Sequence, residues 1–327
     1  MKVAVVGCGA VGSFYGARLC RAGEEVHFLL RSDFDVVRRA GVSIKSPQGD
    51  FNVRPKCAQH PKQIGPADLV IIALKATAND RFPELIPPLV GPNTAVLTLQ
   101  NGLGNEEQLA RIIPVEQIMG GLCFVCLNRV APGIVQHIDH GTVVVGEFNR
   151  WPEPRTHDIA SMFRNAGVPC KVTVNLKQAH WEKLTWNIPF NGLGVASAAG
   201  KQALFSGSLA PEAPLGPCLT TNQLLADCDW ENLVRELIRE VIQAGRALGL
   251  DLKNDLEQTQ IKRTLTMGPY KPSTLIDFER GQPLEMQSLF LEPLRQARAV
   301  GIEAPRLSAL CNVLSSLDQR VVPPTSA

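Results

Sequence analysis

The sequence predicts an α/β domain with a mostly parallel sheet over residues 1–174, followed by an all-α domain over residues 175–327. Two observations support this prediction. Short β-branched apolar runs alternate with helical patterns through the first half, which is typical of parallel strands joined by crossover helices. After Val174 the strand patterns cease, and long segments with apolar residues at helical spacing follow. We therefore place the domain boundary near Val174.

The chain opens with a strand, a tight glycine turn and the start of a helix. Lys2–Val6 is a β-branched apolar run, and three glycines follow it at the spacing G-x-G-x-x-G. In a Rossmann-type domain these glycines allow the turn, the close approach of a pyrophosphate and the packing of helix on strand, while the helix N-terminus stabilises the phosphates. A plain glycine turn is the alternative. The context favours a dinucleotide site made of Gly7, Cys8, Gly9, Ala10, Val11 and Gly12.

The end of the second predicted strand indicates which dinucleotide is bound. Residues 25–30 form this strand, and Arg31 follows it directly. Sites selective for NAD usually carry an acidic residue here to accept hydrogen bonds from the ribose, whereas an arginine suits a 2′-phosphate. Arg31 therefore favours NADP(H). A solvated surface arginine is the alternative. Because the acidic Asp33 is nearby, Arg31 alone does not establish whether NAD or NADP(H) is bound.

The rest of the first half continues the alternation. Further strands are predicted at residues 68–74, 94–99, 117–145 and 171–174, with a hairpin pairing residues 42–44 and 51–53. Helices are predicted at residues 33–40, at 79–90 with interrupting prolines, from a capping box at Asn105-x-x-Gln108, and at 157–166. Open α/β sheets bind ligands beyond the carboxyl ends of their strands. Lys75 and Asn101 are therefore expected on the same edge as the glycine turn.

Composition narrows the possible functions. A hydrophobic fraction of 45% and a charged fraction of 20% allow a sizeable core, and a formal charge of +2 makes nucleic acid an unexpected partner. No apolar run approaches the ~20 residues that span a bilayer, so no membrane span is expected. Nine scattered cysteines and no targeting segment favour a cytoplasmic protein. Cys123 and Cys126 lie three apart in a predicted strand and point to opposite faces, so no metal site is expected.

The second half is predicted to be helical. The predicted helices cover residues 175–199 with Pro189 inside, 230–248, 273–280, 285–300 and 307–317. Residues 207–216 form a loop rich in Pro, Gly and Ala, and residues 322–327 are expected to form a disordered tail.

One face of the first of these helices carries the candidate chemistry. Lys183, Asn187 and Asn191 are spaced by four residues, which places them on one side of the helix. A solvated face is one interpretation. Asparagine is a middling helix former, however, so two of them around a proline favour a polar ligand. A partly buried lysine can lower its pKa toward neutrality and protonate the oxyanion formed when a carbonyl is reduced.

Two later residues have both structural and functional interpretations. Ser273 stands where a serine would cap a helix, which is sufficient reason for its presence. Glu285 is expected in the first turn of a helix, where the helix dipole favours a carboxylate.

Several motifs together resemble one enzyme family, the 2-dehydropantoate 2-reductases or ketopantoate reductases. They run in order through almost the whole chain: Gly7-Cys8-Gly9-Ala10-Val11-Gly12, Leu74-Lys75-Ala76, Gln100-Asn101-Gly102-Leu103-Gly104, Trp181-Glu182-Lys183-Leu184 with Asn187 and Asn191, Pro272-Ser273-Thr274-Leu275 with Asp277, Leu284-Glu285, and Gly301-Ile302 with Pro305.

The resemblance implies a Rossmann domain that binds NADP(H) and a helical domain that binds a small 2-oxo acid. It implies that Lys183 donates the proton, and that Asn101, Asn187, Asn191 and Ser273 bind substrate. It further implies cofactor contacts for the glycine turn, Arg31, Lys75, Asn101, Glu285 and the backbone at Cys126.

The chain also departs from the family pattern. Relatives usually continue after Glu285 with Ile-Asp and then Asn-Gly, whereas this chain has Met286-Gln287 and Phe290-Leu291. Pro293 lies in the same predicted helix. The leading expectation is NADPH-dependent reduction of 2-dehydropantoate to pantoate. A reductase of another 2-oxo or 3-oxo acid, and a non-catalytic NADP(H)-binding sensor, are the alternatives; a homodimer is plausible.

Overall fold

A computed structural model describes residues 1–321, so the tail expected at residues 322–327 lies outside the described residues. The chain divides into two compact units, Met1–Lys177 and Gln178–Ala327. Every described strand lies in the first unit, and the second unit is helical. The predicted fold class is therefore confirmed.

A single ten-stranded sheet forms the centre of the first unit. Its spatial order is β4-β3-β9-β8-β7-β6-β1-β2-β5, with β10 paired to β9. All pairs are parallel except β3 with β4 and β8 with β9. The strands are β1 Lys2–Val6, β2 Glu25–Leu29, β3 Val42–Lys45, β4 Phe51–Val53, β5 Lys56–Ala58, β6 Leu69–Ile72, β7 Ala95–Thr98, β8 Ile118–Ala131, β9 Ile134–Glu147 and β10 Cys170–Val172.

Most predicted strands are present in the sheet. The predicted hairpin is formed by β3 and β4, with Val42 opposite Val53. The strand-like region 117–145 consists of two antiparallel strands of 14 residues each, β8 and β9. The edge strand β5 was missed because three residues, Lys56–Ala58, are too short to show a period.

The sheet buries both of its faces. Val3 and Val5 belong to one apolar core, which includes Phe14 and Phe163 from two covering helices. Ala4 and Val6, which alternate with them along β1, belong to the other core. Such continuous apolar runs are characteristic of parallel strands covered on both sides.

Five helices accompany the sheet: α1 Ala10–Arg21, α2 Phe34–Ala40, α3 Phe82–Leu85, α4 Asn105–Leu109 and α5 Pro154–Asn165. The helix predicted at residues 79–90 is interrupted, as its prolines indicated. This region contains short turns of helix, Ala76–Arg81, α3 and Pro87–Leu89, because prolines lack the N–H that a continuous helix needs. The capping box at Asn105 is wrong, since Gly104 in the left-handed region, with φ 88°, is the residue that precedes α4.

Eight α-helices follow β10 in the described part of the chain. They are α6 Leu176–Ala196, α7 Gly200–Ser206, α8 Thr221–Ala226, α9 Cys228–Ala247, α10 Leu256–Leu265, α11 Ser273–Glu279, α12 Glu292–Ala299 and α13 Pro305–Val321. The long helix α9 packs against α8, α12 and α13. In the loop at residues 207–216, the guanidinium of Arg320 donates hydrogen bonds to the carbonyls of Ala210 and Ala213 and so ties the loop to α13. Within residues 1–321, no helix combines the length and apolar character needed to cross a bilayer.

The helix predicted at residues 285–300 has a different start and interior. Glu285 precedes the first helical residue, and a π-helical turn at Gln287–Leu291 leads into α12. Pro293 stands in the first turn of α12 and cannot donate to the carbonyl of Leu289. A widened turn before the proline accommodates that missing hydrogen bond.

Candidate functional site

The three glycines of the opening turn have different surroundings. Gly7 has a φ of 96°, and a Cβ built on it would lie 2.3 Å from the backbone nitrogen of Leu74. A Cβ on Gly12 would lie 2.2 Å from the carbonyl oxygen of Gly7. A Cβ on Gly9, by contrast, would have no atom within 4 Å. Gly7 and Gly12 are therefore required by packing, whereas Gly9 borders open space.

That open space lies at the N-terminus of α1. Gly9 is the N-cap of this 12-residue helix, and no side chain caps it. The first N–H groups of α1 are thus available to an anion, as the pyrophosphate of a dinucleotide requires. The turn itself is fixed by Ser13, whose hydroxyl donates to the carbonyl of Cys8 at 2.9 Å.

The side chain of Cys8 has a structural environment. Its sulfur lies 3.5 Å from the carbonyl oxygen of Leu29, at the end of β2. Burial raises the pKa of the Cys8 thiol well above its ordinary value, and the nearby Cys57 and Asp33 add to this rise. The thiol is therefore neutral, and the residue is half-buried. Ala10 and Val11 are partly buried at the start of α1.

The exits of β6 and β7 meet the glycine turn at one edge of the sheet. β6 pairs in parallel with both β1 and β7, so the carboxyl ends of all three strands face the same way. The close approach of Gly7 to Leu74 shows this contact directly. Lys75 follows Leu74 and is exposed, and Asn101 follows β7 and is half-buried. The structure thus brings Lys75 and Asn101 to the edge on which the sequence placed them.

A buried network of side-chain amides fixes the segment around Asn101. The amide nitrogen of Gln100 donates to Asn79 at 2.7 Å, and that of Asn79 donates to Asn105 at 2.9 Å. Asn105 in turn donates to the backbone carbonyl of Asn101 at 3.1 Å. Sequence reasoning missed this network. Three amides around the two strand exits are a signal for such a network, although the sequence pattern at Asn105 also fits a helix cap.

Arg31 and Asp33 have opposite environments at the end of β2. Arg31 is exposed. The carboxylate of Asp33 is buried and receives hydrogen bonds from the guanidinium of Arg129, from the hydroxyl of Ser32 and from the N–H of Gly133. Burial alone would raise the pKa of Asp33, but these hydrogen bonds and the charge of Arg129 outweigh it and lower the pKa. Asp33 is therefore an ionised carboxylate with its partner already in place.

Cys126 lies buried on β8, opposite Asp139 of β9. The register of the two strands shifts immediately after it, which marks an irregularity in the ladder. In the part of the chain that the structure describes, one group of acidic and cysteine side chains is close enough to hold a metal ion, namely Asp227, Cys228 and Asp229. Lys201 donates to both of those carboxylates, at 2.7 and 2.8 Å, and supplies their counter-charge.

The polar face of α6 has the predicted arrangement. Lys183, Asn187 and Asn191 lie on one uninterrupted helix that continues through Pro189. Asn187 and Asn191 are only 6% and 3% exposed, and Lys183 is half-buried. The interpretation of this stripe as a solvated face is therefore wrong for the two asparagines, because buried amides need hydrogen-bond partners.

One of these partners is the start of α11. The side-chain oxygen of Asn191 accepts the backbone N–H of Thr274 at 3.2 Å, and the hydroxyl of Ser273 lies 3.5 Å from the same oxygen. Ser273 is the first residue of α11 and Pro272 is its N-cap, so the prediction that Ser273 caps the helix is wrong. Asn191 caps α11 from another helix instead. Glu285, 5% exposed, is also buried in this unit.

A glycine turn open to a pyrophosphate and a helix face with a half-buried lysine and two buried asparagines are the features of a pyridine-nucleotide-dependent oxidoreductase. Comparison with known proteins identifies the particular family. Residues 3–150 match the family model described as ketopantoate reductase PanE/ApbA, and residues 198–318 match the model of its C-terminal domain. The chain belongs to the ketopantoate reductase family.

Individual relatives cover nearly the full length. A 2-dehydropantoate 2-reductase of Nostoc sp. strain PCC 7120 is 37% identical, over 98% of this chain and 96% of the relative. The uncharacterized oxidoreductase YkpB of Bacillus subtilis strain 168 is 30% identical, over 95% and 96%. A crystal structure of 2-dehydropantoate 2-reductase from Geobacter metallireducens GS-15 has a TM-score of 0.87 and 42% identity, and the match covers 96% of this chain and 99% of that one.

Proposed function

We propose that this chain catalyses the NADPH-dependent reduction of 2-dehydropantoate to pantoate, a step of pantothenate biosynthesis. Ketopantoate reductases are oxidoreductases acting on CH–OH groups and use NADPH. The observation that supports the proposal most directly is the polar face of α6, because it combines the half-buried ammonium of Lys183 with the buried amides of Asn187 and Asn191 in a chain of this family.

The first unit would bind the cofactor. The open N-terminus of α1 fits the pyrophosphate, and the cation of Arg31 fits the 2′-phosphate. Lys75 and Asn101 extend this site along the sheet edge. The full set proposed to contact NADPH is Gly7, Cys8, Gly9, Ala10, Val11, Gly12, Arg31, Lys75, Asn101, Cys126 and Glu285, with Cys126 acting through its backbone.

The second unit would bind the substrate and supply the proton. Asn187, Asn191 and Ser273, together with Asn101, would hold the carboxylate and hydroxyl of the oxo acid by hydrogen bonds. NADPH supplies a hydride to the ketone carbon when it is bound. The ammonium of Lys183 gives its proton to the ketone oxygen, so that the carbonyl becomes a hydroxyl and the lysine is left neutral. Solvent then returns a proton to Lys183.

Replacement of Lys183 by alanine tests the mechanism. We expect kcat to fall on the order of 10²-fold or more, because removal of a general acid costs about that much. The matched control is Lys177→Ala, which removes an exposed lysine from the same helix and should leave kcat unchanged. NADPH oxidation is followed with 2-dehydropantoate. A Lys183→Ala enzyme within about threefold of the parent would refute the proton-donor role.

The identity of the oxo acid has a specific alternative. The helical start after Glu285 differs from the family pattern at Met286, Gln287, Phe290 and Leu291, and this region begins with a π-helical turn. A reductase of another 2-oxo or 3-oxo acid would show little activity on 2-dehydropantoate and good activity on another member of a panel of oxo acids. A non-catalytic NADP(H) sensor would bind NADPH without turnover on any of them.

The proposal extends to the cellular location and the oligomeric state of the protein. We propose a cytoplasmic location, which the nine free cysteines support because disulfides are rare in a reducing compartment. We also propose a homodimer, which light scattering of the purified protein measures.

A further inference from the structure

Asp33 lies where its charge could influence the choice between NADPH and NADH. Asp33 lies two positions beyond Arg31 and directly precedes α2, four residues after β2 ends at Leu29. It is therefore close to the strand end at which NAD-binding sheets usually carry the acid that binds the ribose. An unpaired carboxylate here would accept hydrogen bonds from the ribose hydroxyls of NADH. The same charge would repel the 2′-phosphate of NADPH. Asp33 alone would therefore oppose the effect of Arg31.

Arg129 pairs with the carboxylate of Asp33 and neutralises its charge. Its Nε donates to one oxygen of Asp33 at 3.1 Å, and its Nη2 donates to the other, so the pair is bidentate. The Asp33 side chain is 8% exposed, whereas that of Arg129 is 39% exposed. Ser32 at 3.0 Å and the N–H of Gly133 at 3.4 Å complete the set around the carboxylate. Both oxygens are thus engaged, and neither is available to a ribose.

We propose that Arg129 is a specificity-determining residue for the cofactor, because it occupies and neutralises Asp33 and leaves the end of β2 compatible with a 2′-phosphate. The proposal rests on the proposed use of NADPH. It gives the fourteen-residue strand β8 a role in recognition as well as in the sheet. The sulfur of Cys8 in the glycine turn lies 3.5 Å from the carbonyl oxygen of Leu29, the last residue of β2, and Asp33 follows Leu29 by four residues, so the ion pair lies near the proposed dinucleotide site.

The test is Arg129→Met, which keeps the length of the side chain and removes its charge. Dissociation constants for NADPH and NADH are measured by quenching of tryptophan fluorescence. We expect NADPH to bind about tenfold more weakly, because a freed carboxylate repels the phosphate, while NADH binds as well as before or better. The ratio of the NADPH dissociation constant to the NADH dissociation constant tests the role of Arg129.

Two further variants separate this role from a general loss of structure. In the double variant Arg129→Met with Asp33→Asn, the repelling charge is gone, so NADPH binding should recover most of the loss. Arg155→Met is the matched control. This variant breaks another bidentate pair of the same unit, between Arg155 and the buried Glu147. Glu147 lies opposite Met119, which is near the other end of β8 from Arg129. We expect Arg155→Met to lower stability and leave the ratio unchanged.

The outcomes are distinct. A folded Arg129→Met protein whose ratio stays within about twofold of the parent overturns the inference, and so does an equal shift in Arg155→Met. If Arg129→Met does not fold, Arg129→Lys, which keeps the charge and loses the bidentate geometry, should shift the ratio by about threefold, and no shift overturns the inference. A parent that binds NADPH and reduces no oxo acid refutes the proposed reaction, while the ratios still decide the role of Arg129.

Discussion

Gly7 and Gly9 are the same residue type in opposite surroundings. A side-chain carbon at Gly7 would overlap the backbone of Leu74, whereas at Gly9 it would enter open space. The fold therefore depends on the first position, and the proposed binding of the cofactor depends on the second. Substitutions at these two residues separate folding from binding.

Gly7→Ala and Gly9→Ala should differ in their effects on stability and on NADPH binding. Gly7→Ala should lower the free energy of unfolding by about 2 kcal/mol or more, because it combines a positive φ with a close backbone contact. Gly9→Ala should change it by less than about 1 kcal/mol but weaken NADPH binding about tenfold, because a methyl group would stand where the pyrophosphate approaches. Urea denaturation and NADPH titration measure the two effects. Equal stability losses would contradict the assignment.

Local sequence was sufficient for some site residues and not for others. The glycine turn and the Lys183, Asn187 and Asn191 face were predictable because their members are neighbours in one turn or one helix. The pairing of Asp33 with Arg129 was not, because the partners lie 96 residues apart and β-strand pairing brings them together. Asp33 was considered as an acid near the ribose, and only the contact with Arg129 shows that it is already engaged.

At the scale of elements, α6 and α11 are joined by a cap that comes from a different helix. The side-chain oxygen of Asn191 accepts the N–H of Thr274 in the first turn of α11. The start of α11 carries Ser273, which is proposed to bind substrate. Asn191 therefore positions Ser273 in addition to any contact of its own with the oxo acid.

Asn191→Asp and Asn191→Leu separate these two roles. Leucine removes the accepting oxygen and should lower the free energy of unfolding by about 1 kcal/mol, the usual effect of a lost helix cap. Aspartate keeps the acceptor and should preserve stability to within about 0.5 kcal/mol, since a negative charge is favoured at a helix N-terminus. Aspartate should nevertheless raise KM for the oxo acid through repulsion of its carboxylate. An unchanged KM in Asn191→Asp would exclude a direct contact with substrate.

Sequence patterns predicted which segments form strands and helices better than they predicted where each segment ends or which segments are neighbours. Alternating apolar runs predicted the sheet because burial on both faces leaves a strong signal. For residues 79–90 the prolines predicted an interrupted helix, but they did not predict where each of the short helical turns would begin and end. The amide network of Asn79, Gln100 and Asn105 was not predictable, because it depends on the exits of β6 and β7 being neighbours in the sheet.

For the whole molecule, two carboxylates with lowered pKa values predict the response to acid. Asp33 in the first unit and Glu257 in the second are both held by arginines. For Glu257, burial raises the pKa, but hydrogen bonds from Arg239 and Arg235 outweigh it and lower the pKa. A folded-state pKa below the unfolded one adds stability that is present above about pH 4.

The free energy of unfolding should therefore fall as the pH decreases from about 4 through the folded-state pKa values of these groups. Urea denaturation between about pH 3 and pH 6 measures this dependence. The double variant Asp33→Asn with Glu257→Gln should be less stable at neutral pH and show a shallower decline. An identical slope in parent and variant would contradict the assignment.

The π-helical turn at Gln287–Leu291 has a consequence for chain length. A π turn contains one residue more than an α turn over the same span. Deleting one residue there would restore ordinary winding and leave the residues on both sides of the turn in place, whereas the same deletion within a regular α-helix would rotate one side by about 100° around the axis. Glu285 is separated from this turn by Met286. The segment between Glu285 and Pro293 can therefore lose one residue, in the π turn, without a change in how Glu285 faces α12.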